Sequence, residues 1–258
     1  RRHTRYGTVT GVQTCALPIF CAEGIPQGDE GELLQGVKSW QARQYSVKLS
    51  RDSIRGQHST VTIRHSTMGG RAPYGYDRQY QMPDGKPLRT IRTLCDGRRQ
   101  EFDAQGRHVR YIDADVPLGK KLKSDIVRLV PGNPDHIKVV QLIFDMCARG
   151  FGFRSIMIEL NRRGIPGPMR SEWNRMAIKT ILQNPVYRGA LVWNRRTFGK
   201  IHAVEADGTP CPKKAGGSTR NSKDRWIVIE GVHEPLVKAE VFEKAQREIA
   251  GRLGRTAT

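Results

Sequence analysis

The chain has 258 residues and a mass of 29.1 kDa, with 44 Lys and Arg against 25 Asp and Glu, a formal net charge of +19 and a pI near 10.2. Mean hydropathy is −0.56 and no run approaches the roughly 20 apolar residues of a spanning helix, which excludes a helical membrane protein. Recurrent aromatic and β-branched residues exclude collagen-like and wholly disordered chains, and the positive charge points to a polyanion partner, nucleic acid first.

Residues 1–19, RRHTRYGTVTGVQTCALPI, contain no acidic residue and no useful helical or strand period. The run resembles a translated sequencing adapter, so we set it apart as an artefactual or disordered head and expect the remainder to be an internal piece of a longer protein. From Asp29 the pattern turns helical. Leu33, Leu34, Val37, Trp40, Tyr45 and Leu49 recur at three- and four-residue steps, predicting a helix from Asp29 to about Arg64, about 50 Å long at 1.5 Å per residue. Such a helix needs a partner, in its own domain or in another copy.

The run Met68 to Tyr76, MGGRAPYGY, breaks that helix with glycines and a proline. Met82 to Val116 carries strand texture with turn signals at Asp84-Gly85, Asp96-Gly97 and Gln105-Gly106, predicting a small antiparallel meander with Arg and Lys on its open face. Three helices follow. Asn133-Pro134-Asp135 opens the first, Asp135 to Arg149; the second runs from about Phe153 to Arg163 and stops at Gly164; Ser171 caps the third, with Trp173, Ile178, Ile181 and Leu182 inward. Val186 to Trp193 and Trp226 to Ile229 read as strands, the polar stretch 199–224 as a mobile loop or linker, and residues 238–253 as a last charged helix. The fold class is therefore α+β.

Three short helices with glycine-rich turns suit a helix-turn-helix array, whose last helix enters the major groove. Here it offers Arg170, Ser171, Asn174, Arg175 and Lys179, where Arg matches guanine and Asn matches adenine. The clusters Arg98-Arg99, Lys120-Lys121-Lys123, Arg162-Arg163, Arg195-Arg196 and Lys213-Lys214 suit phosphates or water better than bases.

Nothing argues for catalysis or a metal. The cysteines (Cys15, Cys21, Cys95, Cys147, Cys211) form no CxxC pair, which suits a reducing, cytoplasmic compartment. His58 and His65 lie two helical turns apart, but two ligands do not close a metal site, so both read as solvated surface residues. Glu101, Asp103, Asp113 and Asp115 read as turn and strand-edge polarity, and no Walker A loop or GxGxxG is present, so no cofactor is expected.

Several separated motifs carry a resemblance. WQARQYSVKLSR at 40–51, Arg55-Gly56 and GGRAPYGY at 69–76 resemble large serine recombinases, the phage-type integrases and transposon resolvases. Ile143-Phe144, Gly150, Ile158, Leu160-Asn161, Gly164-Ile165-Pro166, Trp173, Ile181-Leu182, Asn184-Pro185, Tyr187 and Gly189 are similar in order and spacing to that family's recombinase DNA-binding domain. His233 to Val237, with Glu240 and Phe242, resembles the stretch before its zinc ribbon.

The resemblance implies a modular enzyme in which a serine attacks a DNA phosphate, arginines stabilise the pentavalent phosphate, and dimers or tetramers assemble on DNA. It divides the chain into the head (1–19), the end of a catalytic domain with the long helix (20–66), the recombinase DNA-binding domain (67–198), and a linker with the start of the pre-ribbon segment (199–258). The serine-bearing motifs are absent, Gln44 stands where many relatives have Glu, and no zinc-ribbon cysteines follow Phe242. We therefore assign no catalytic residue and expect this piece to bind a double-stranded attachment-site half without cleaving it. Arg71 and Tyr74 are expected near the DNA backbone or minor groove, where neighbouring glycines allow close approach. The alternatives are a helix-turn-helix transcriptional regulator without strand exchange and an RNA-binding basic protein. The second lacks aromatic stacking platforms, aromatics being only 7% of residues.

Overall fold

The long helix expected from Asp29 is α1 (Asp29–Thr62), whose first turn sets Asp29, Glu30 and Glu32 against the positive end of the helix dipole. The computed structural model describes residues 28–68, 70–117, 125–168, 172–213 and 217–255. The chain divides into two compact units, Arg1–Gly56 with Thr197–Thr219 and Gln57–Arg196 with Arg220–Thr258. The α1 stripe stays open among the described residues: Leu33 is 72%, Trp40 61% and Tyr45 67% exposed. No described helix is long and apolar enough to cross a membrane.

A five-stranded antiparallel sheet follows, with β1 (Tyr76–Gln81), β2 (Pro87–Thr93), β3 (Arg99–Asp103), β4 (His108–Ile112) and β5 (Ile126–Pro131) in the order β4-β3-β2-β1-β5. The expected meander contains β2-β3-β4, turning at Gly97 and Gly106, and the third expected turn, at Gly85, joins β1 to β2. Strands β1 and β5 extend it. Tyr80, Ile91 and Val127 pack together on one face. Arg and Lys side chains of this sheet are exposed, as foreseen, but they are paired within it. Its arginines are answered within the sheet: Arg89 and Arg110 reach the buried Glu101 at 3.1 and 2.6 Å, Arg92 reaches Asp77 at 2.8 Å, Arg98 reaches Asp96 at 2.8 Å, and Arg99 donates to the Asp113 carbonyl at 2.6 Å.

Helices α2 (Pro134–Ala148), α3 (Phe153–Arg162) and α4 (Arg175–Leu182) come next, then a 3-10 turn (Pro185–Arg188) and strand β6 (Leu191–Trp193). Asn133 caps α2 as its sequence predicts, accepting from the Asp135 N–H at 2.9 Å with Pro134 in the first turn. The polar stretch read as a mobile linker contains a strand pair, β7 (His202–Val204) with β8 (Pro210–Pro212), and in the same unit the His202 imidazole Nδ1 lies 2.9 Å from the Ser50 hydroxyl. Strand β9 (Ile227–Ile229) pairs antiparallel with β6, and the chain reaches its last helix, α5 (Ala239–Arg255).

The main core joins the helices to the edge of the sheet. Val140, Ile143, Phe144 and Cys147 of α2 meet Ile156 and Leu160 of α3, Ile178 and Leu182 of α4, and Phe242, Ala245 and Ile249 of α5. Tyr76 and Tyr187 tie in the loops: the Tyr187 hydroxyl donates to the Tyr74 carbonyl at 3.0 Å, and the Tyr76 hydroxyl is shared between the Val186 and Glu234 carbonyls at 3.1 and 2.9 Å. Gly75 has φ +91°, and a Cβ there would sit 3.0 Å from Leu236 Cδ1 and 3.3 Å from Val140 Cγ2, so the close approach it allows is to this core. A smaller cluster gathers Val61, Leu191 and Val232.

The two histidines expected in solvent are both half-buried; His58 lies 6.1 Å, ring to ring, from Trp193, and His65 adopts φ 50° at the end of α1. Cys147 is fully buried, and burial pushes its thiol up to about 11. Cys15 and Cys21 lie outside the described residues.

Candidate nucleic-acid interface

Helix α4 owes its position to what precedes it. Residues 163–174 separate α3 from α4, a longer connection than the three- or four-residue turn of a compact helix-turn-helix. Asn161, in the last turn of α3, crosses that connection. Its Oδ1 accepts from the Trp173 N–H at 2.8 Å and its Nδ2 donates to the Trp173 carbonyl at 3.0 Å. Trp173 is 2% exposed and meets the edge of the Tyr74 ring at a centroid distance of 5.5 Å.

The next residue starts the helix. Asn174 is extended (φ −119°, ψ 160°) and its side chain accepts from the Ala177 N–H at 2.8 Å. The cap is therefore Asn174; Ser171, expected in that role, lies outside the described residues. Asn174 Oδ1, foreseen as half of an adenine-reading pair, is committed to the helix start.

At about 100° per residue, Ile178, Ile181 and Leu182 form the buried arc of α4. The remaining surface carries Arg175, Met176, Lys179 and Thr180, with Arg175 and Lys179 bordering the buried arc and Met176 and Thr180 farther from it; Lys179 is half-buried and the other three are exposed. Among the described residues no carboxylate lies within ion-pair distance of Arg175 or Lys179. Helix α3 contrasts with this: Glu159 holds Arg162 at 2.9 Å and Arg163 at 2.7 Å, and the two guanidiniums keep its carboxyl down at about 2. Of the basic clusters in the sequence, the Arg162-Arg163 pair shares one carboxylate and most sheet arginines meet one, while Arg175 and Lys179 of α4 meet none among the described residues.

The remaining candidates lie apart from that surface. Arg71 is exposed and, with Tyr74, Cys95 and His136, lines a shallow hollow of about 60 Å³ beside β1. Tyr74, foreseen near DNA, is half-buried; its ring stacks on His136 at 4.4 Å and burial raises its hydroxyl pKa. Arg195 is also half-buried. It donates to Asn184 Oδ1 at 3.1 Å, lies 5.0 Å from the centre of the Trp226 ring, and burial lowers its pKa. Arg196 is exposed. Arg170, Ser171, Lys120, Lys121, Lys123 and Lys214 lie outside the described residues.

Two residues of this region escaped the sequence reading. Met176 is 66% exposed on α4, and Asn161 fixes the main chain of Trp173 just ahead of that helix. The wheel position of Met176, opposite Ile178 and Leu182, was a signal available beforehand; the reach of Asn161 to Trp173 was not.

Residues 134–252, from the first residue of α2 into α5, match the family model described as Recombinase. A solved structure described as "Crystal Structure of a LSR-DNA Complex" aligns with a TM-score of 0.31 and 16% identity, over 55% of this chain and 34% of that one. The alignment thus spans about a third of that protein.

Proposed function

We propose that the chain, whose residues 134–252 match the Recombinase family model, is the DNA-binding portion of a large serine recombinase. It takes one half of a double-stranded attachment site, and in the full-length protein it serves site-specific strand exchange by a serine that lies outside these residues. Dimers or tetramers of that protein assemble on DNA in the cytoplasm.

The observation that carries this reading is the unneutralised arc of α4. A helix with its side chains is about 10–12 Å across, and the B-DNA major groove is about 12 Å wide. With its buried arc on the core, α4 turns Arg175 and Lys179 outward, where Arg175 suits guanine O6 and N7 and Lys179 a phosphate or guanine. Arg71 and Arg196 meet the backbone from the flanks, and Arg170 and Ser171, which precede the helix in sequence, add further DNA contacts. Tyr74, Asn174 and Arg195 act as supports: they fix the loop before β1, the start of α4 and the turn after it. The net charge of +19 supplies the long-range attraction.

A gel-shift series with random duplex, single-stranded DNA and structured RNA of equal length tests this. The reading expects duplex to bind most tightly and to weaken steeply with salt. Equal or tighter binding to structured RNA would contradict it.

A further inference from the structure

The exposed arc of α4 has two chemically different edges. Arg175 and Lys179, one turn apart, form a cationic edge; Met176 and Thr180, also one turn apart, form a methyl-bearing edge beside it. Met176 is 66% exposed, while Ile178, Ile181 and Leu182 supply the apolar contacts that hold the helix to the core. Packing within the unit therefore does not account for a thioether at this position. Arg175 precedes it and Lys179 follows by less than a turn, so a polyanion drawn to those two side chains must present something to Met176 as well.

We propose that Met176, with the Thr180 methyl beside it, is a specificity-determining residue that reads the 5-methyl group of thymine in the major groove. This rests on the DNA-binding reading above and adds the base it selects. The major-groove edge of an A·T pair carries one apolar group, the thymine methyl, and an apolar side chain held in the groove distinguishes it from cytosine and uracil, which lack it. Phosphates and guanine edges satisfy Arg175 and Lys179 but offer nothing to a thioether. The division of labour follows from the wheel: the cationic edge faces one strand's backbone and any guanine near it, and the methyl edge faces the pairs one step along the groove.

The test uses the 258-residue chain. A randomised duplex library is selected for binding, and the winning duplex is then synthesised with thymine or with deoxyuridine at each position. For the unaltered protein we expect about a fourfold loss of affinity for each contacted thymine changed to deoxyuridine, the worth of one buried methyl-sized group. Met176→Gln keeps length and helix propensity on an exposed site, so the fold is retained, which thermal melting checks. It should abolish the thymine-to-uracil difference and leave the salt dependence unchanged, whereas Lys179→Ala should lower the salt dependence and keep that difference. If thymine and deoxyuridine duplexes bind the unaltered chain equally, or if Met176→Gln preserves their difference, the methyl-reading role is overturned while DNA binding stands. If no duplex binds the unaltered chain at all, both this inference and the reading beneath it fall.

Discussion

Asn161 brackets the main chain of Trp173, accepting from its N–H at 2.8 Å and donating to its carbonyl at 3.0 Å, and so one side chain replaces the backbone pairing that a strand or helix would supply there. Removing it leaves both groups without a partner beside a buried indole. Asn161→Ala should cost about 2–4 kcal/mol. Asn161→Asp, which keeps the acceptor and loses the donor, should cost less. Urea unfolding of both variants checks the order; an alanine variant as stable as the parent would show that the bracket is dispensable.

Asn174→Ala removes the α4 cap and should lower stability by about 1 kcal/mol. Asn174→Asp keeps a capping oxygen and should retain most of it. If the cap is the residue's contribution, Asn174→Ser restores DNA affinity along with stability. Affinity lost equally in the Ala and Ser variants would instead return Asn174 to the base-reading set.

Asp77 is buried at the start of the sheet, and burial raises its carboxyl to about 6 against the opposing pull of Arg92 at 2.8 Å. The folded chain therefore holds this proton more tightly than the unfolded one. Its contribution to stability is complete below about pH 4 and is lost as pH rises through about 6, by about 3 kcal/mol at 1.36 kcal/mol per pH unit. Asp77→Asn cannot titrate. The stability of the variant relative to the parent should rise between pH 4 and pH 7 in urea melts, and a difference that stays flat with pH would refute the shift.

What could be read from the sequence was local. Asn133-Pro134 announced α2, the apolar stripes announced α2 to α5, and the Asp-Gly signals placed the meander turns, because each depends on residues a few positions apart. Strands β1 and β5 were missed because their pairing joins Tyr76–Gln81 to Ile126–Pro131, far apart in the chain, and because Arg78 and Gln79 interrupt the apolar pattern of β1. The β7–β8 hairpin turns at Asp207-Gly208, a signal present in the sequence but outweighed by the polar composition around it. At the candidate interface, Arg175 and Lys179 fell where helical periodicity put them. Asn174, Tyr74 and Arg195 also meet partners within the fold, Ala177, His136 and Trp226, which are set by local capping and tertiary packing and not by composition.

Duplex affinity measured across a salt series, for the parent chain and for the Arg175→Ala, Lys179→Ala double variant, tests the central claim most directly. The account predicts weaker binding by the variant and a shallower plot of log affinity against log salt, by about one unit for each of the two cations that meets a phosphate. Unchanged affinity with an unchanged slope would mean that α4 does not face the DNA.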